Sequence, residues 1–143
     1  MPEASALLRI CVRDFAPRSM NALLRGTNYK ARAAARKREK KALALIVLSQ
    51  NRPLPRGLAG LLRAEFVWYW CGQLPDIDGC AARCKLLFDA LEDMGAFERG
   101  DEQIQELLTR RVRVKHKPQR GFDLTLTKWA PSPHQPTPYL QEY

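Results

Sequence analysis

The chain is poor in histidine and has no CxxC pair. Its two histidines, His116 and His134, stand far along the sequence from Cys11 and well away from Cys71, Cys80 and Cys84, so the spacing of a structural zinc site is missing. The expectation is four reduced, mostly buried thiols rather than a disulfide framework or a metal cage. No apolar run approaches the roughly 20 residues that cross a bilayer. The opening Met1-Pro2-Glu3-Ala4 lacks a basic segment leading into an apolar core; no secretory signal is apparent, and a cytoplasmic protein is expected. Acids are scarce too: 15 Asp and Glu stand against 24 Lys and Arg, a net charge of +9. That excess calls for an anionic partner, nucleic acid first, with a membrane surface or an acidic protein behind it.

What is present is enough for one hydrophobic core in 143 residues. Residues 7–12 read as a first strand. From about Asn28 to Leu48 the chain is Ala-rich with no interior Gly or Pro, which predicts a helix with a densely basic first half and an apolar second half. Aromatic and β-branched residues predict a second strand over 61–71. Cys80, Cys84, Leu87, Phe88, Leu91 and Met94 form a stripe at helical spacing, and Gly95 suits the end of that helix. Arg111, Arg113, Lys115 and Lys117 alternate with Val112 and Val114, the pattern of a third strand with one wet face. Pro118-Gln119-Arg120-Gly121 signals a hairpin into a fourth strand, 122–129. The order β-α-β-α-β-β gives an α+β fold, a mixed sheet of about four strands with two main helices. A domain over 1–130 and a Pro-rich tail over 131–143 complete the expected organisation.

Against the basic composition, Asp76-Ile77-Asp78 places two carboxylates together. On extended backbone, side chains at i and i+2 share a face and can hold one divalent cation. Equally, Asp78 is a residue that the first turn of a helix favours through its dipole. Asp101 lies just before the next strand and is the natural third acid. Lys85, off the apolar stripe, is placed to reach a phosphate. Asp89 and Glu92 read as helix-surface partners of Lys85 and its neighbours.

Asp76-Ile77-Asp78-Gly79, Lys85-Leu86-Leu87-Phe88-Asp89-Ala90-Leu91 and Gly100-Asp101-Glu102-Gln103-Ile104 together resemble the RusA family of Holliday junction resolvases. That family carries a D-x-D-N segment, a helix with a lysine before a D-(A/G)-L run, and a D-D-x-Q-(V/I) segment before a strand. Ala16-Pro17-Arg18-Ser19-Met20-Asn21 is similar to a degraded form of its P-P-S-x-N loop. The resemblance implies Asp76, Asp78 and Asp101 as ligands of Mg²⁺, with Mn²⁺ as a substitute, and Lys85 as the fourth catalytic residue. It also implies a homodimer that nicks a four-way DNA junction symmetrically. Two departures stand out: Gly79 replaces the usual Asn, and Gly100 replaces the first Asp of the pair.

The expected function is therefore a metal-dependent endodeoxyribonuclease resolving Holliday junctions or related branched DNA. The alternative is a catalytically impaired, structure-selective nucleic-acid-binding protein of the same fold. Lys30, Arg32, Arg36, Lys37 and Lys40 on the first helix, and Arg111, Arg113, Lys115 and Lys117 on the third strand, are the expected DNA contacts. An alternating strand turns at least one of Trp68, Tyr69 and Trp70 inward, so core packing outweighs base stacking for them.

Overall fold

A computed structural model of the chain describes residues 5–15, 29–51, 53–74 and 76–131; the expected loop at 16–21 and the tail from 132 onward lie outside the described residues. Among the described residues six main elements follow one another: β1 (Leu8–Arg13), α1 (Tyr29–Gln50), β2 (Leu62–Trp70), α2 (Ile77–Asp93), β3 (Ile104–Arg113) and β4 (Gly121–Lys128). The fold is α+β, a four-stranded mixed sheet in the order β1-β4-β2-β3 with two helices. β2 and β3 run parallel, while β4 is antiparallel to both β1 and β2.

Period-two alternation builds the core. Leu62, Ala64, Phe66 and Trp68 of β2 point to one face with Leu8, Ile10 and Val12 of β1 and Phe122, Leu124 and Leu126 of β4. α1 covers that face with Leu43 and Val47, and α2 covers it with Cys80, Cys84, Leu87 and Leu91. The rings of Phe66, Trp68 and Phe122 lie 5.6–6.2 Å apart at its centre. Truncating one of them to Ala would cost about 3–5 kcal/mol. The guanidinium of Arg83 on α2 lies 4.6 Å over the Trp68 ring and pins helix to sheet. As its composition predicts, the buried residues of α1 among those described, Leu43 and Val47, lie in its apolar second half.

Three expectations change. α2 begins at Ile77, earlier than its apolar stripe, because the first turn is polar and needs only the dipole to favour it. β3 runs 104–113, so Lys115 and Lys117 fall in the connection beyond it, Lys117 in a short 3₁₀ turn. Residues 118–121 do not close a hairpin, since β2 lies between β3 and β4. After β3 the chain stays beside β2, with Val114 N–H donating to the Trp70 carbonyl at 2.8 Å, and then crosses the end of that strand.

The β1 edge is closed by side chains. Asn51 accepts from the Cys11 N–H at 2.9 Å and donates to the Cys11 carbonyl at 3.1 Å. Gln50 does the same for Arg13, at 2.9 Å in each direction. Two amides at the end of α1 thus imitate a neighbouring strand. No helix among the described residues is long and apolar enough to cross a membrane.

Candidate metal centre and basic groove

The α2 helix orders the polar residues of the site. At 100° per residue, Asp78, Lys85, Asp89 and Glu92 fall within about 60° of one another, on the side facing away from the core. Asp76 precedes the helix on extended backbone (φ −62°, ψ 149°), and its carboxylate caps no backbone N–H. Asp78 is already helical, so the pair does not share the extended geometry that would set two carboxylates side by side. Both are exposed, as is Lys85.

Asp101 lies elsewhere. After α2 the chain turns back through Met94 and Gly95, where Met94 N–H donates to the Ala90 carbonyl and Ala96 N–H to the Leu91 carbonyl. This return sets Asp101 against the last turns of the helix. Carboxylate oxygens of Asp89, Glu92 and Asp101 come within 4.8 Å of one another, the one such group of three among the described residues. Eleven helical residues separate Asp78 from Asp89, about 16 Å along the axis. The structure thus does not bring Asp76 and Asp78 together with Asp101. It brings Asp89 and Glu92 there instead, two residues that the sequence pattern assigns to surface ion pairs.

Two neighbours hold this corner in shape. Gln103 is buried, 4% exposed. Its side-chain oxygen accepts from the Arg99 and Gly100 N–H groups at 2.7 and 3.3 Å, and its amide nitrogen donates to the Leu58 and Gly60 carbonyls at 2.8 Å each. A fully used amide in the interior is expensive to remove, since the Arg99 and Gly100 N–H groups and the Gly60 carbonyl would lose the partner it supplies, while the Leu58 carbonyl keeps the Glu98 N–H. Gly100 has φ +132°, and a Cβ built on it would stand 2.5 Å from Glu92 Oε1. Glu92 therefore occupies the space that a side chain at position 100 would claim. Gly79 differs, with nothing within 4 Å of an added Cβ.

Beside the acids runs an open groove of about 590 Å³ between α1 and α2. Arg36, Lys37, Lys40 and Lys41 form its α1 wall, Asp89 and Asp93 line the α2 side, and Ala44, Leu86 and Met94 add apolar surface. Asp89 belongs to both the groove and the acidic corner. Lys40 pairs with Asp93 at 2.8 Å, and that bond, with Asp89 and Glu92 nearby, raises the Lys40 ammonium above its ordinary value. Of the other expected DNA contacts, Lys30, Arg32, Arg36 and Lys37 are exposed on α1, and Arg111, Arg113, Lys115 and Lys117 are exposed on β3 and after it. Trp68 is core, Trp70 is half-buried, and Tyr69 lies on the opposite sheet face, its hydroxyl donating to Asp123 at 2.8 Å.

Three hard oxygen donors suit a hard cation. Opposite ligands of Mg²⁺ stand about 4.2 Å apart, and the ion keeps several waters, so three carboxylate oxygens within 4.8 Å of one another are spaced as a group that could hold one ion. The donor set contains no sulfur or imidazole, which disfavours zinc. No family model matches the chain, and no curated protein sequence matches it.

Proposed function

We propose that the chain is a metal-dependent endodeoxyribonuclease acting, as a homodimer, on four-way junctions or related branched DNA. The observation that carries this reading is the convergence of Asp89, Glu92 and Asp101 on one point that opens, through Asp89, onto a groove walled by Arg36, Lys37 and Lys41. The three carboxylates would hold Mg²⁺ or Mn²⁺, which supplies phosphate neutralisation and an activated water when bound. The cationic wall of α1 draws in the phosphate backbone and fixes its register without reading bases. Gln103 keeps Asp101 in place by anchoring the loop that carries it. Lys85, on the same helical stripe as Asp89, offers a further positive charge to a phosphate lying along α2.

The test is cleavage of a synthetic four-way junction in Mg²⁺ and in Mn²⁺, with linear duplex as control. Asp101→Asn should abolish nicking, a loss beyond the roughly 100-fold that an outer-shell partner costs, while junction binding persists. Undiminished cleavage by that variant ends the proposal. Asp89→Asn and Asp78→Asn, assayed in parallel, tell which end of α2 holds the ion.

A second reading is favoured by the distance between Asp78 and Asp101: a junction-binding protein without nuclease activity. It predicts salt-sensitive junction binding with no nicking in either metal.

A further inference from the structure

The two edges of the sheet are treated differently. On β1 the outer backbone groups of Cys11 and Arg13 are occupied by Asn51 and Gln50, as described above. β3, at the other edge, is a ten-residue strand that pairs with β2 alone among the described residues. An open edge of that length is a template for another strand unless something blunts it. Its middle is apolar and exposed: Leu107 is 36% and Leu108 42% accessible. Its charges are sorted along its length, with Glu106 before the leucines and Arg110 after them.

That order is self-complementary in one direction only. We propose that a second copy of this chain occupies the edge, the two β3 strands running antiparallel about Leu108 and joining the sheets into one of eight strands. In that register Leu108 of each copy meets Leu108 of the other. Glu106 of each faces Arg110 of the other. The sheet register puts Glu106, Leu108, Arg110 and Val112 on the face opposite the helices, since they pair with Arg63, Glu65, Val67 and Tyr69. Opposed residues of an antiparallel pair point to one side, so these contacts are mutually allowed. Within one copy Glu106 already forms an ion pair with Arg63, its carboxylate 2.8 Å from Nε, and the ladder of charges becomes Arg63–Glu106–Arg110 across the interface. A parallel pairing would instead set Arg110 beside Arg110. The inference rests on this edge and holds whether or not the chain cleaves DNA.

Sedimentation equilibrium of the whole protein over a range of concentrations tests it. The expected result is a dimer whose dissociation constant rises about tenfold or more in Arg110→Glu, which opposes acid to acid at two symmetric places. An equimolar mixture of Arg110→Glu and Glu106→Arg should recover the dimer, since each variant then faces its complement. Lys128→Glu makes the same change of charge at an exposed position away from this edge and should leave the dimer intact. A protein monomeric at every concentration overturns the proposal. So does a dimer indifferent to Arg110→Glu, unrestored in the mixture, or equally broken by Lys128→Glu.

Discussion

Two glycines that look alike in the sequence do opposite things in the structure. Gly100 holds a backbone conformation that L residues avoid, and a Cβ there would displace the Glu92 carboxylate. The place that a side chain at position 100 would take is filled by the Glu92 carboxylate, beside Asp89 and Asp101. Gly79 has open space around it in the first turn of α2, where glycine costs more backbone entropy than alanine. Gly100→Ala should lose about 1–3 kcal/mol to strain and weaken Mn²⁺ binding in calorimetry by pushing Glu92 outward. Gly79→Ala should raise the melting temperature, by up to about 1 kcal/mol of stability, and leave Mn²⁺ binding unchanged. Equal effects of the two on Mn²⁺ would mean that Glu92 is not a ligand.

At the scale of elements, one carboxylate ties three strands on the face away from the helices. Asp123 of β4 sits opposite Cys11 of β1 and Val67 of β2. It accepts from Arg13 at 2.8 and 3.2 Å and from the Tyr69 hydroxyl at 2.8 Å, and the Arg13 guanidinium lies 4.3 Å over the Tyr69 ring. Burial alone would raise the Asp123 carboxyl, but hydrogen bonds from Arg13, Tyr69 and Cys11 outweigh it and hold it below the usual range. A depressed native value means stability present above the unfolded carboxyl value of about 3.9 and lost as pH falls through the native one. Melting temperatures measured across the acid range should therefore fall less steeply for Asp123→Asn than for the parent. That variant should also melt lower at neutral pH. None of this network was legible beforehand, because its members are brought together by strand register and not by spacing. The elements themselves were legible: β-branched and aromatic runs marked β1, β2 and β4, and the 3–4 spacing of Cys80, Cys84, Leu87 and Leu91 marked α2. Pairing order was not, because no local residue records that β2 inserts between β3 and β4. For the same reason Asp101 could be picked as a candidate ligand from the sequence while its approach to Asp89 and Glu92 could not be read there; the return through Gly95 decides that.

For the whole molecule, charge is arranged by face and by end. The net charge of +9 concentrates on the solvated half of α1 and on the C-terminal half of β3, while the acids of α2 look across the groove at α1. If β3 is taken up by a second copy, Arg110 is spent on Glu106, and the α1 surface of each copy is left as the main contact for a polyanion. The two α1 helices would then act as separate basic rails on one extended sheet, a layout suited to a substrate with more than one arm. Binding to such rails is driven by release of counterions, so its logarithm falls linearly with the logarithm of salt concentration, by about 0.9 for each phosphate neutralised. Arg36 and Lys37 are exposed and line the groove. Neutralising both, Arg36→Gln with Lys37→Gln, should flatten that slope by about 2 for each α1 engaged, as read by fluorescence anisotropy of a labelled four-way junction at several salt concentrations. A slope that does not change would place the phosphate backbone somewhere other than the α1 groove, and would leave the acidic corner without the substrate path that gives it a chemical purpose.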